Sequence, residues 1–167
     1  MSKGSVQIVR RIFADQFSPV LAYRRLVRED DRTAPSFLFE SVEQGGNVGR
    51  FSFLGIQPSI EVLARGNELR VEQHGESIQL DGNDPFDCLR EIALAHSPVT
   101  RPEETPLPAG FRAGWVGYAG YDSARWAEPE KLAFANAPED DRGLHDMHMA
   151  LYGRVLVFDH VAKTVYL

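Results

Sequence analysis

Ser36-Phe37-Leu38-Phe39-Glu40-Ser41, then Gly45-Gly46-Asn47, then Arg50-Phe51-Ser52-Phe53-Leu54-Gly55, gives the clearest structural pattern in the chain: two apolar runs joined by a polar, glycine-containing turn. Side chains alternate along a strand, so Phe37 and Phe39 are predicted on one face, and Leu38 and Glu40 on the other. Glu40 and Ser41 then end an apolar strand. Such an end suits a small zwitterion with an apolar body, with Glu40 facing an ammonium group and Ser41 a hydrogen-bonding group.

The composition is typical of a soluble globular protein. The chain has 167 residues, 43% hydrophobic and 25% charged, so we expect one ordinary domain and exclude disorder of the whole chain. Its net charge of −6 argues against a nucleic-acid surface, which is usually basic. No apolar run approaches the roughly 18 residues of a membrane span, and no signal-peptide core follows Met1. We expect a cytoplasmic protein with neither nucleic acid nor membrane as a partner.

The first half of the chain predicts one helix followed by strands. Ser18 and Pro19 give a helix start, and apolar residues at helical spacing then continue to an end near Glu29. From Phe37 to Leu80, short apolar runs separated by turn residues predict an antiparallel meander. The first strand of this meander begins at Phe37, and the later strands are predicted at Phe51–Ile56, Ile60–Ala64, Leu69–Gln73 and Ser77–Leu80.

The second half predicts two helices and three strands. Asp84 and Pro85 begin a helix that ends near His96. The remaining elements are a proline-rich connector at Ser97–Gly110, a strand at Phe111–Tyr118, a short helix capped by Asp122 or Ser123 and ending at Ala127, an acidic loop at Pro129–Gly143, a strand at Met147–Asp159 and a return arm at Val161–Leu167. Together these elements predict an α+β fold of antiparallel sheet layers with a few packed helices. The arm stops at Leu167, from which we expect a piece of a longer polypeptide.

Several residues of chemical interest have a structural explanation. His145 and His148 lack a third ligand at a useful spacing, so we expect no metal there. Cys88, the only cysteine, excludes an intrachain disulfide and is expected to be a structural thiol. The equally spaced Gly114, Gly117 and Gly120 match no nucleotide-binding motif and indicate close backbone approach or a bulge.

A dense cluster of aromatic and charged residues leaves two interpretations open. Its members are Tyr118, Tyr121, Asp122, Arg125 and Trp126. They form either an amphipathic corner, in which Asp122 and Arg125 pair at a spacing of three, or the wall of a pocket or interface.

An ordered set of blocks resembles one enzyme family. The blocks are Ser18-Pro19-Val20-Leu21-Ala22-Tyr23-Arg24-Arg25-Leu26, Phe37-Leu38-Phe39-Glu40-Ser41, Gly49-Arg50-Phe51-Ser52-Phe53-Leu54-Gly55 with Pro58, Gly114-Trp115-Val116-Gly117-Tyr118-Ala119-Gly120-Tyr121-Asp122 and Val157-Phe158-Asp159-His160. In this order they resemble the amino-terminal region of anthranilate synthase component I, over almost the whole chain from about Phe17. The resemblance implies that residues 1–167 are the amino-terminal regulatory region and that the carboxy-terminal chorismate-binding half is absent.

The resemblance also implies what the parent enzyme does. Enzymes of this family convert chorismate and glutamine-derived ammonia to anthranilate and pyruvate, in tryptophan synthesis. They use magnesium, whose ligands lie in the carboxy-terminal half, so no cofactor is expected in this chain. They work with a glutamine amidotransferase subunit. The isolated chain is therefore expected to be catalytically inactive.

For this region the resemblance implies a regulatory site for the feedback inhibitor L-tryptophan. Carried over by position, its residues are Leu38, Glu40 and Ser41, with Arg50, Phe51 and Ser52 added from the second block. The chain has Phe39 where the family usually has leucine, and family members complete the pocket with a block from the other half. Phe51 and Phe53 are explained equally well as residues of a core strand.

Two alternatives stay open at this point. The first is a fragment of aminodeoxychorismate synthase component I, which shares the architecture and serves the folate pathway. The second is a stand-alone amino-acid-binding module without catalysis. The block from Ser18 to Leu26 favours the tryptophan enzyme.

Overall fold

The fold was analysed in a computed structural model that describes residues 8–27, 35–40, 49–96 and 113–167. The strands in these ranges are β1 (Arg11–Phe13), β2 (Ser36–Glu40), β3 (Phe51–Ile56), β4 (Ile60–Arg65), β5 (Glu68–Gln73), β6 (Glu76–Gln79), β7 (Gly114–Ala119), β8 (Met147–Tyr152), β9 (Val155–Asp159) and β10 (Thr164–Tyr166). The α-helices there are α1 (Pro19–Leu26), α2 (Pro85–Ala95) and α3 (Ala124–Ala127). The ten strands build two five-stranded antiparallel sheets, and together with the helices they confirm the predicted α+β class.

The described residues fall into two compact units. The first contains residues 8–58, 113–114 and 152–167 where they are described, and the second contains residues 59–96 and 115–151. None of the helices in the described ranges has the length and apolar character needed to cross a lipid bilayer.

The sheet of the first unit, called sheet 1, has the strand order β1-β10-β9-β3-β2, with β2 at one edge. Helix α1 packs on one face through Ala22, which is fully buried against Leu54, Phe158 and Val165. The Ser18 hydroxyl accepts a hydrogen bond from the Leu21 N–H at 3.2 Å, so the predicted cap is confirmed. Because Val27 is extended, the helix ends at Leu26, before the predicted end near Glu29.

The sheet of the second unit, called sheet 2, has the strand order β6-β5-β4-β8-β7. One face carries the buried core residues Ile60, Val62, Ala64, Leu69, Val71 and Met147, against which Leu89 and Ile92 of α2 pack. Asp84 caps α2 by accepting hydrogen bonds from the N–H groups of Phe86 and Asp87. The predicted start and end of this helix are therefore confirmed.

Two predicted runs are divided between the sheets. The meander predicted from Phe37 to Leu80 was wrong as a single unit, because β2 and β3 join sheet 1 whereas β4, β5 and β6 form a meander in sheet 2. The break falls at Gln57, which has a φ of 51°, and Pro58, which has no N–H to donate. The single strand predicted at Met147–Asp159 is likewise two strands, β8 and β9, separated by Gly153 and Arg154.

The remaining elements follow the sequence closely. Strand β7 begins at Gly114, after a bend at Ala113. Phe111, the predicted start of this strand, and the predicted connector Ser97–Gly110 lie outside the described residues. Helix α3 ends at Ala127 as predicted, but the predicted cap was wrong, because the Ser123 hydroxyl donates to the Gly120 carbonyl instead. The return arm is confirmed as β10. Strand β1 was not predicted, because three residues are too few to show a period.

Candidate functional site

The predicted site lies where β2 ends beside β3 in sheet 1. Glu40, the last residue of β2, is directly opposite Ser52 of β3, and Leu38 is opposite Leu54. Opposite residues share a face, so Leu38, Glu40 and Ser52 lie on the face that α1 covers. The predicted alternation along β2 is confirmed by Phe37, whose ring meets the ring of Phe39 at 4.8 Å between centroids. Ser41 lies outside the described residues.

Glu40 and Ser52 differ sharply in their surroundings. Glu40 is exposed, and its carboxylate has no hydrogen bond or ion pair with any other residue in the described ranges. Ser52 is only 1% exposed, and Leu38 is half-buried against the core of sheet 1. Among the described residues, this end of β2 thus presents an unpaired carboxylate next to an apolar side chain, an arrangement suited to an ammonium group with an apolar body.

Arg50 immediately precedes β3 and is held by a carboxylate from β9. Its Nη2 donates to Asp159 Oδ2 at 2.8 Å, and its Nε lies 3.2 and 3.3 Å from the two carboxylate oxygens. The guanidinium carbon lies 4.9 Å from the centroid of the Phe51 ring. Phe51 pairs in register with Asp159, on the face opposite to Ser52. The structure therefore places Leu38, Glu40 and Ser52 together, and Arg50 with Phe51 separately.

Asp159 is a buried acceptor of several hydrogen bonds. It is 2% exposed, and its Oδ1 also accepts the backbone N–H groups of Val161 and Ala162, at 3.1 and 3.0 Å. The hydrogen bond from Arg50 lowers the pKa of Asp159, and the two backbone donors act in the same direction, against the opposing effect of burial. Asp159 is consequently ionised at neutral pH and binds both Arg50 and the turn that leads into β10.

His160 makes the corresponding contact with Ser52. Its Nε2 lies 2.7 Å from the Ser52 hydroxyl oxygen, and its backbone N–H donates to the Arg50 carbonyl at 2.9 Å. Sequence reasoning assigned no role to Asp159 or His160. The only signal was their place in the block Val157-Phe158-Asp159-His160, because no local pattern connects residues more than 100 positions apart in the chain.

His145, which precedes β8, and His148 of β8 do not form a metal centre with other described residues. His148 Nε2 lies 2.8 Å from Glu61 Oε2, and the rings of His145 and His148 are 6.1 Å apart. No group of three or more His, Cys, Asp or Glu side chains lies together among the described residues. These residues do not fit a magnesium site.

The glycine and cysteine predictions agree with the structure. At Gly117 a Cβ would overlap the backbone carbonyl oxygen of His148, so the predicted close approach is confirmed. Cys88 is half-buried beside the core of sheet 2, and burial raises the pKa of its thiol. A raised pKa keeps the thiol protonated and unreactive, which matches a structural cysteine.

The cluster of aromatic and charged residues has features of both predicted interpretations, the amphipathic corner and the wall of a pocket. Arg125 Nε donates to Asp122 Oδ1 at 2.7 Å, as expected for a corner, whereas Tyr121 is 95% exposed. Trp126 Nε1 donates to the Gly66 carbonyl at 2.8 Å. Arg125 and Trp126 also line an open cavity of about 220 Å³ in the second unit.

Comparison with known proteins identifies relatives along nearly the whole chain. No protein-family model matches it. It is similar to anthranilate synthase alpha subunit 2, chloroplastic, of Arabidopsis thaliana, with 49% identity over 98% of this chain and 27% of the relative. It is 30% identical to anthranilate synthase component 1 of Acetivibrio thermocellus, over 97% of this chain and 30% of the relative.

A solved structure gives the same result. The crystal structure of anthranilate synthase component I from Streptococcus pneumoniae TIGR4 matches with a TM-score of 0.50 and 29% identity, over 93% of this chain and 30% of that chain. The chain thus spans less than a third of the length of these relatives.

Proposed function

We propose that this chain, which is homologous over nearly its whole length to the amino-terminal part of anthranilate synthase component I, is the regulatory region of such an enzyme and binds L-tryptophan as feedback inhibitor. In the full-length protein the remaining part would bind chorismate and magnesium and form anthranilate. A glutamine amidotransferase subunit would supply the ammonia. The chain by itself is proposed to be inactive, and its predicted cytoplasmic location stays a prediction.

The observation that carries the proposal is the free carboxylate of Glu40 at the end of β2. It is exposed, lacks a partner among the described residues, and shares a sheet face with Leu38 and Ser52. A carboxylate in this position is suited to the ammonium group of an amino acid, and Leu38 to part of its apolar side chain. Ser41 follows directly in the sequence and would add a hydroxyl group.

Inhibition would arise from coupling between two sites. If tryptophan binds a state with poor affinity for chorismate better than the active state, it shifts the enzyme toward that state. Such a coupling free energy is typically about 1–3 kcal/mol, so it changes the affinity of the other ligand by roughly 5–150-fold.

The proposal predicts a specific loss of inhibition in Glu40→Gln. A charge-assisted hydrogen bond is worth about 1.5–3 kcal/mol, so the tryptophan concentration that halves anthranilate formation by the full-length enzyme should rise about tenfold or more. Each variant is compared with its own uninhibited rate. Ser41→Ala should raise the concentration in the same direction.

Glu76→Gln is the matched control, since Glu76 is also an exposed glutamate at a strand end but lies in the second unit. It should leave inhibition unchanged. An equal response of Glu40→Gln and Glu76→Gln would refute the assignment of Glu40. Formation of aminodeoxychorismate instead of anthranilate in the same assay would assign the chain to the folate pathway.

A further inference from the structure

The open cavity of about 220 Å³ in the second unit has several apolar residues in its wall. It lies between the turn from β4 to β5, the loop before α2 and the segment that contains α3. Leu69 and Pro85 in the wall are buried, and Trp126, Pro129 and Phe134 add apolar surface. Sites for drug-sized ligands have volumes of about 300–1,000 Å³, so this smaller cavity matches a ligand of about one ring.

Trp126 is held in a fixed orientation in the wall of this cavity. Its Nε1 donates to the Gly66 carbonyl at 2.8 Å, and its ring centroid lies 5.8 Å from those of Phe86 and Phe134. Because its one N–H group is bonded to the backbone, the indole ring offers apolar surface to a ligand. Such a wall is suited to a flat apolar body.

Arg125 is also fixed, and one of its nitrogens is free. Its Nε donates to Asp122 Oδ1 at 2.7 Å, and its Nη1 donates to the carbonyls of Leu132 and Ala133 at 3.3 and 3.4 Å. Nη2 has no hydrogen-bond partner among the described residues and is not one of their buried polar atoms. The cavity wall thus contains an oriented guanidinium group with two N–H donors to offer, and a preorganised group loses less conformational entropy on binding.

The two acidic residues of the wall leave the free nitrogen of Arg125 available. Glu68 precedes Leu69 in β5, and Leu69 belongs to the core of sheet 2, so the Glu68 side chain points to the opposite face. Asp84 Oδ1 accepts two backbone N–H groups at the start of α2, and the N-terminal end of that helix offsets part of its charge. Neither carboxylate is bonded to Arg125, whose Nη2 remains available to an anionic group.

We propose that this cavity binds a small planar carboxylate. Arg125 Nη2 donates hydrogen bonds to the carboxylate group, and the flat apolar body lies against Trp126 and Phe134. Asn67 and Asn83 are exposed in the same wall, and their side-chain amides have no hydrogen-bond partner among the described residues, so they offer further donors. The site is additional to the tryptophan site proposed in the first unit.

The test follows Trp126 by fluorine NMR in the full-length protein labelled with fluorotryptophan, in which Trp126→Phe identifies the resonance. Benzoate should shift this resonance saturably with a Kd of about 1 mM or lower, the modest affinity expected of so small a ligand. Trp115 packs against the core of sheet 2 and does not line the cavity, so its resonance should not follow the titration. Absence of a saturable shift of the Trp126 resonance up to about 10 mM benzoate would overturn the proposal.

Benzamide separates recognition of the charge from simple filling of the cavity. It has the same ring and a carbonyl acceptor but no negative charge. It should bind about fivefold more weakly than benzoate or worse, because a hydrogen bond to an ionised acceptor is roughly twice as strong as one to a neutral acceptor. Equal affinity for benzamide and benzoate would reject the assignment of a carboxylate.

Arg125→Gln is compared with Arg90→Gln. Arg90 pairs with Asp87 at a spacing of three, as Arg125 does with Asp122, but Arg90 does not line the cavity. Arg125→Gln should raise the Kd of benzoate about tenfold or more through loss of the charged donor, and Arg90→Gln should leave it unchanged. Equal values in the two variants would reject the role of Arg125.

Asn83→Asp keeps the proposal testable if Arg125→Gln fails to fold, because Asn83 is exposed and its side chain has no hydrogen bond with described residues. The added negative charge in the wall should raise the Kd of benzoate by about threefold or more. Asn136→Asp is the matched control, since Asn136 is exposed but does not line the cavity. If Asn83→Asp changes the Kd no more than Asn136→Asp does, the carboxylate does not bind in this cavity.

Discussion

At the scale of single residues, burial and neighbouring charges determine whether an ionisable group is bound within the fold or is accessible to a ligand. Asp159 and Glu40 are both carboxylates of sheet 1, but Asp159 is buried and bound by Arg50, whereas Glu40 is exposed and free among the described residues. The first is therefore suited to holding the structure in place and the second to binding a ligand. The same side-chain chemistry is thus found in two different environments, at the end of β9 and at the end of β2.

His145 provides a prediction about pH. Burial lowers its pKa, and the charges of His148, Arg70 and Arg65 lower it further, although Glu72 opposes them. A histidine whose pKa is lower in the folded state takes up its proton first in the unfolded state, so stability falls as the pH drops below about 6.5. His145→Gln should reduce the loss of unfolding free energy between pH 7.5 and pH 5.5, as measured by urea denaturation.

The control for this prediction is His96→Gln, since His96 is exposed after the end of α2. It should leave the difference between the two pH values close to that of the original chain. If His145→Gln changes this difference no more than His96→Gln does, the account of His145 is wrong.

At the scale of elements, the contact between β7 and β8 depends on a glycine. A Cβ on Gly117 would overlap the His148 carbonyl oxygen and lie 2.8 Å from Met149 Cα, and both atoms belong to the backbone of β8. Backbone cannot move aside as a flexible side chain does. Gly117→Ala should therefore lower the free energy of unfolding by about 1–3 kcal/mol, measured by urea denaturation.

Gly153→Ala is the matched control. Among the described residues, no atom other than those of its chain neighbours lies within 4 Å of a Cβ at Gly153, and its φ is outside the left-handed region. The added methyl group should be neutral or stabilise by up to about 1 kcal/mol, because alanine restricts the unfolded chain. A Gly117→Ala variant as stable as Gly153→Ala would show that the two strands are not in close contact.

Local sequence signals made most helices and strands predictable, but they did not show which strands pair with each other. The capping residues Ser18 and Asp84 predicted the starts of α1 and α2, because a hydroxyl or carboxylate before proline accepts hydrogen bonds from the first N–H groups of a helix. The division of strands between the sheets was missed, because the partner of a strand lies far away in the sequence. Strand β3, for example, pairs with β9, about 100 residues later.

The candidate site shows the same limit. Glu40 could be placed on its strand face by alternation alone, and the structure agrees. Asp159 could not be connected with Arg50, because a pair 109 residues apart leaves no local pattern. Sequence reasoning thus found residues suited to the ligand and missed those that hold them.

At the scale of the whole molecule, the chain accounts for less than a third of the relatives it matches. Its described residues form two units, and the candidate tryptophan site lies in the first. The proposed role is therefore regulatory, with catalysis assigned to the remainder of the full-length enzyme. Direct binding has to be measured in that full-length protein, since the chain spans less than a third of the relatives' length.

Calorimetric titration of L-tryptophan into the full-length enzyme tests the central claim most directly. The account predicts saturable binding with one site per polypeptide and a Kd that rises about tenfold or more in Glu40→Gln, because the ammonium group loses its charged partner. Absence of binding, or an equal Kd in the original enzyme and in Glu40→Gln, would contradict the assignment of this region as the tryptophan site.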